Sequence, residues 1–262
     1  MLAQRRGTRP AAPCAPTTGR GKTGNRTQRR RTMSKRGDAK SLALDVYQRI
    51  RQDIFDGRFA PGARLQPSLL GKAYEASTTV IREALILLSG DRLVQSSIGQ
   101  GFFVPMLDRQ ELRDLTLIRC HNEKLALALA IERGGVEWET EVLAAHHRLT
   151  RTPRRSAGDE LHGNPEWFSA HRAFHSRLVE ACGIPALIDI CEKLASATEI
   201  YRVWSSPVTT SSARNVEHEH AEILAAVLRR DTDRATALLL EHYHATEEKL
   251  LANWPRDVSP AP

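Results

Sequence analysis

Apolar positions recur at helical spacing in two blocks of this chain, and the blocks differ in length and in what separates their elements. In the first block Leu42, Val46, Ile50 and Ile54 fall four apart, which predicts a helix closed by Gly57 just past its end. Ala60-Pro61-Gly62 reads as a turn, Arg64-Leu65 is short enough for a single β-bridge, and Pro67 opens a second short helix with Leu69, Leu70 and Ala73. Ser77 then caps a third helix, in which Ile81, Ala84, Leu85 and Leu88 form one buried stripe. Leu93 to Ser97 and Gly101 to Val104 read as strands joined by Ile98-Gly99-Gln100. Three helices followed by a β-hairpin is the order of a winged helix-turn-helix, here over residues 41–105.

From Asp108 the pattern is helical throughout. Gln110 to Arg133, with Leu112, Leu115, Ile118, Leu125 and Leu129, is a long amphipathic helix ending at Gly134-Gly135. Further helices are predicted over Glu137 to Thr150, Pro165 to Ala181, Pro185 to Tyr201, Ala213 to Arg230 and Asp231 to Ala252, with polar loops at 152–164 and 205–212. The expected fold is therefore mainly α: an N-terminal winged helix-turn-helix and a C-terminal six-helix antiparallel bundle over residues 109–253. Pro105 to Arg109 would be the hinge between them.

The outer side of the third helix carries Thr78, Thr79 and Arg82. Hydroxyls and backbone N–H groups at a helix start meet phosphates, and an arginine reaches a guanine edge, so this face suits a DNA major groove. An ordinary polar surface helix would look the same in this window alone.

Composition adjusts the picture in one respect. The formal net charge of +7 is not spread evenly. Residues 1–40 hold twelve Lys/Arg and one acid, Asp38, a balance of +11 that leaves residues 41–262 at −4. This tail is poor in large apolar residues and is expected to be disordered. It reads either as a basic arm adding salt-sensitive DNA affinity or as sequence upstream of a start at Met33, the latter being favoured. Cys14, Cys120, Cys182 and Cys191 lack paired spacing, which fits reduced thiols in a cytoplasmic protein, and no apolar run has transmembrane length.

Histidines concentrate in the bundle. His171 and His175, four apart, project from one helix face, while His220 and His242 lie 11 residues on either side of Asp231 and would face each other across a hairpin. Four imidazoles from three helices make a plausible transition-metal site, and neutral imidazole suits Zn, Ni, Cu and Fe. His218 and His244 are displaced and must point elsewhere. Any one of these histidines alone reads more simply as a satisfied core residue.

The runs VYQRIRQDIFDGRFAPGARL, STTVIREAL and LVQ…GQGFFV resemble the DNA-binding domain of the GntR family of bacterial transcription regulators. Thr78 stands where that family commonly uses an arginine on DNA, and Glu75 where a turn glycine is usual; Arg82 is retained. The resemblance implies contacts to double-stranded DNA from Ser68, Ser77, Thr78, Thr79, Arg82, Gly99 and Gln100. RCHNEKLALALA, HRAFHSRLVEACG and EHAEILAAVLRRDTDRATALLLEH resemble the FCD effector domain of the FadR-like branch. That likeness implies a divalent metal, Zn or Ni, held by His171, His175, His220 and His242, with His171 in the place of an aspartate. It also places Arg119 near a small organic-acid effector, although Arg119 and Glu123 could equally form a simple helix-surface pair. The function implied is a homodimeric regulator, in the first instance a repressor, on a palindromic operator. A direct metal sensor and a metal-dependent enzyme fused to a DNA-binding domain are the rivals. Against the enzyme, no HExxH motif, Ser-His-Asp order or phosphate-binding glycine loop is evident.

Overall fold

The structure, a computed structural model, describes residues 26–156, 159–204 and 214–254, with side chains described for 41–155, 164–204 and 214–254. The loop expected at 205–212 and the first 25 residues of the tail lie outside the described residues. Ser41–Pro262 forms one compact unit, and Met1–Lys40 falls outside it.

The first helix, α1, is Arg26–Phe55 and so begins sixteen residues before the predicted Leu42. Residues 26–40, expected to be disordered because they are poor in large apolar residues, are helical; Arg, Lys and Gln among them are strong helix formers. Gly57 follows with φ +72, the left-handed conformation that ends the helix. β1 is Arg64–Leu65, α2 Pro67–Ala73 and α3 Thr78–Gly90, with the Ser77 side chain accepting from Val80 N–H. Ile81, Ala84, Leu85 and Leu88 are fully buried, as the stripe requires, whereas Leu69 and Ala73 of α2 are exposed and only Leu70 is inside. Glu75, between α2 and α3, takes φ +54, so the backbone there does need the left-handed conformation that glycine supplies freely.

β2 (Gln95–Ser97) and β3 (Gly101–Phe103) form the wing. The sheet is antiparallel in the order β1-β3-β2, with Leu65 opposite Phe102 and Ser96 opposite the same residue.

Asp108 caps α4 (Arg109–Arg133) by accepting from Glu111 N–H at 2.7 Å. α5 (Val136–Arg151), α6 (Pro165–Glu180), α7 (Pro185–Trp204), α8 (Val216–Leu228) and α9 (Thr232–Ala252) complete the bundle. Gly134 permits the α4–α5 turn, since a Cβ there would lie 2.2 Å from the Trp138 ring. Asp231 caps α9 through Arg234 N–H. Two departures matter. Residues 152–164 are not wholly loop: β4 (Arg155–Ser156) pairs antiparallel with β5 (Asp159–Gly163), and its base is closed by Asn164, whose N–H and side-chain amide donate to the Arg154 and Pro153 carbonyls at 2.9 and 2.8 Å. On α4 the buried face runs through Leu112, Leu115, Arg119, Glu123 and Leu127, while Ile118 and Leu125 point outward. A polar pair on the inner face made the outer stripe look like the core.

The DNA-binding half is not merely tethered through residues 105–109. Ile50, Leu85 and Phe102 share one core with Leu112 and Leu115 of α4 and with Leu194, Ala197, Ile200 and Tyr201 of α7. A second core, around Leu127, Phe174, Leu178, Ile223 and Leu239, holds the far end of the bundle. The histidine cluster lies against this second core, with Phe174 touching His175 and His220.

Candidate metal centre and effector cavity

α6 presents His171 and His175 one turn apart, and the α8–α9 hairpin places the His220 and His242 rings 4.8 Å apart between centroids. One ring nitrogen from each of the four lies within 4.8 Å of the others, and all four residues are buried, 2 to 4% exposed. His218 and His244 are outside on the surface, beside Glu222 and Glu247.

Burial disfavours the imidazolium form of every ring. It holds His171 and His175 well below the usual histidine range, reinforced by Arg202 and by the neighbouring rings, and pushes His220 down to about 2. His242 settles at about 4, because a hydrogen bond to Glu219 offsets part of its burial. At neutral pH the cluster is therefore uncharged and its lone pairs are available.

Hydrogen bonds decide which nitrogen of each ring carries the proton. The Nδ1 of His242 donates to Glu219 Oε2 at 2.7 Å, leaving Nε2 with the lone pair. Burial works to raise the Glu219 carboxyl, but bonds from His242 and Arg214 bring it down to about 2, so it is an anion at neutral pH. The Tyr243 hydroxyl gives its proton to Glu123, so the His175 Nδ1 at 3.0 Å donates to the tyrosine oxygen and again leaves Nε2 unprotonated. Nε2 of His220 is buried without a hydrogen-bond partner among the described residues. His171 differs. Arg202 donates to its Nδ1 at 3.0 Å, so the neutral ring carries its proton on Nε2 and donates it to the His175 Nε2 at 3.2 Å.

His175 and His242 thus turn unprotonated Nε2 atoms inward, and together with the otherwise unsatisfied buried Nε2 of His220 they make a donor set that fits a divalent transition metal. His171 joins them only if Arg202 releases it.

Beside the rings lies a cavity of about 430 Å³. His171 and His175 form part of its wall, together with Arg119, Arg202 and Glu199 from the bundle and Tyr47, Gln48 and Arg51 from α1. Arg119 is buried, 8% exposed, so it makes no surface pair. Its Nε donates to Glu123 at 2.6 Å, Nη1 to Thr198 at 2.9 Å and Nη2 to Tyr243 at 3.2 Å. Glu123 and Tyr243 overcome the effect of burial on this guanidinium and hold its pKa above the ordinary arginine value. Sequence reasoning missed Arg202, Glu219, Tyr243 and the α1 residues, which only packing brings here. The adjacency of Glu219 to His220 was the sole local signal.

The expected DNA-facing residues Ser68, Ser77, Thr78, Thr79, Arg82, Gly99 and Gln100 are all exposed, on α2, the cap and outer face of α3, and the wing tip. The Ser77 hydroxyl is already engaged in its capping bond, 3.3 Å from Val80 N–H.

Comparison with known proteins agrees with both halves. Residues 42–104 match the family model for bacterial regulatory proteins of the gntR family, and residues 114–245 that of the FCD domain. The HTH-type transcriptional repressor GlaR of Escherichia coli (strain K12) is 35% identical over 203 residues, 76% of this chain and 91% of that protein. The HTH-type transcriptional regulator BphR of Paraburkholderia xenovorans (strain LB400) is 35% identical over 209 residues, 80% and 85% of the two chains. The solved structure of E. coli McbR/YncC superposes with a TM-score of 0.68 at 22% identity, covering 82% of this chain and 99% of that one, a likeness of fold.

Proposed function

The chain belongs to the GntR family of bacterial regulatory proteins and carries an FCD domain, and from that membership we propose that it represses transcription until a small organic acid enters the bundle. It is a DNA-binding transcriptional regulator. The finer reading rests on one observation: a cavity bordered at once by His171 and His175 of the histidine cluster, by arginines of the bundle and by α1 of the DNA-binding half.

A divalent metal, zinc first and nickel second, would be held by His175, His220 and His242, with His171 as a conditional fourth ligand, and would supply a Lewis-acidic anchor for a carboxylate. Arg119, kept cationic and fixed by three partners, orients that carboxylate. A ligand in the cavity touches both halves of the molecule, so it binds one arrangement of them better than the other, and that difference in affinity shifts the DNA-competent population. On the DNA, two copies of α3 enter successive major grooves with Arg82 and the threonines outward. The second copy is supplied by dimerisation, for which Leu117, Ile118 and Leu125 on the outer face of α4 offer an apolar surface.

The cavity favours this reading over a direct metal sensor, for which the rings alone would suffice. It also favours it over an enzyme, since Glu123 and Glu219, the carboxylates bonded to the ring cluster and its Tyr243 support, are both held in strong hydrogen bonds. Footprinting on the DNA flanking the gene, with zinc present, is expected to show a protected imperfect palindrome that is released on adding organic acids. Release by zinc alone would replace the metabolite with the ion as signal.

A further inference from the structure

At the α1 end of the cavity two guanidiniums lie against one aromatic ring. Arg51 of α1 and Arg172 of α6 both lie against the Phe55 ring, with their Cζ atoms 5.1 and 4.3 Å from its centroid. Like charges placed on one ring repel, and these two have little to offset them. Arg51 Nε and Arg172 Nη1 are buried without a hydrogen-bond partner among the described residues. The bond Arg51 does make, Nη2 to Ser196 Oγ, is long at 3.5 Å.

The nearest buried acid, Glu199, is 3% exposed and lies 3.7 Å from Arg172 and 3.5 Å from Arg202, so one carboxylate is shared between two cations at ion-pair rather than hydrogen-bond distance. Its Oε1 also has no hydrogen-bond partner among the described residues. Of the other acids lining the cavity, Glu123 is bonded to Arg119 and Tyr243, and Glu192 is exposed. Arg119, by contrast, has three good partners. Half-buried cations left this far from compensation are costly, and burial, with Arg51 adding to it, outweighs Glu199 and Asp56 and pulls the Arg172 guanidinium below its ordinary pKa.

We propose that the effector carries two carboxylates, and that the second docks between Arg51 and Arg172 while the first occupies the histidine and Arg119 end. This rests on the cavity being an organic-acid site. Guanidinium forks match carboxylate geometry, and the orphaned N–H donors are the ones such a group would take. The subsite also gives the ligand its grip on the DNA-binding half. Arg51 belongs to α1 and Arg172 to the bundle, so one anion between them ties the two halves together in a way a monocarboxylate does not.

The test uses the zinc-loaded full chain, with succinate and adipate set against butyrate and hexanoate, acids of matched chain length, in calorimetric titrations and thermal-shift assays. One dicarboxylate is expected to bind about ten-fold or more tightly than its monocarboxylate partner. Arg51→Gln should bring it down to the monocarboxylate level and leave the monocarboxylate affinity where it was, with Arg172→Gln as the independent second variant. Equal binding of both classes to the unmodified chain overturns the second subsite while the organic-acid reading stands. An Arg51→Gln loss that is the same for both classes overturns it as well, marking a general packing effect. No binding of any of the four acids overturns the subsite and the organic-acid reading together.

Discussion

The outer face of α3 and the histidine cluster of the bundle are both polar sites, and they are built in opposite ways. Thr78, Thr79 and Arg82 sit within two turns of one helix, exposed, while the residues that hold that helix in place point the other way. The four imidazoles come from three helices and are nearly as buried as Phe174 and Leu178 of the core. On α3, fold and recognition belong to opposite faces, so a change on the outer face alters recognition at little cost in stability. In the bundle the same side chains are both core and site, so anything bound there must change the stability of the structure around it. That asymmetry suits the helix to reading and the bundle to sensing.

The sharpest way to break this comparison is to load the cluster. Zinc added to chelator-treated protein at about 100–1,000 times its dissociation constant is expected to stabilise by roughly 3–4 kcal/mol, raising Tm by on the order of 10 °C. His175→Ala, His220→Ala and His242→Ala should each abolish the gain. His171→Ala should retain part of it, because Arg202 holds that ring in the wrong tautomer for binding. Scanning calorimetry decides the matter, and an undiminished gain in His220→Ala would place the ion elsewhere.

On the exposed face the expectation is reversed. Arg82→Ala should weaken operator binding by about 1–3 kcal/mol, roughly ten- to a hundred-fold, and shift unfolding by no more than about 0.5 kcal/mol. Gel-shift titrations read the first and denaturant melts the second; a variant that binds normally would remove Arg82 from the interface.

The smallest effect sharpens the comparison from the side of the scaffold. Glu75 is exposed and held at φ +54, so Glu75→Gly should stabilise by roughly 0.5–1 kcal/mol in urea melts without touching the zinc response. A destabilised variant would mean that the glutamate side chain contributes something the turn conformation does not reveal.

Local chemistry was enough for much of this molecule. Periodicity, Ser77, Gly57, Pro67 and Asp231 marked the helices and their ends, because capping and amphipathic burial depend on residues a few positions apart. The spacing of His171 from His175, and of His220 and His242 about Asp231, likewise foretold a meeting that helix and hairpin geometry enforce. Tertiary structure alone decided which face of α4 is inside, since both faces offer leucines and the buried one hides Arg119 and Glu123 in mutual bonds. It alone decided the β4–β5 hairpin, whose base is closed by Asn164, and the tautomers of His171, His175 and His242, set by Arg202, Tyr243 and Glu219 from other helices. It also brought Arg51 of α1 beside Arg172 of α6. The cost of burying a polar group depends on partners that chain order does not reveal, so the sites where such groups converge become legible only once the chain has folded.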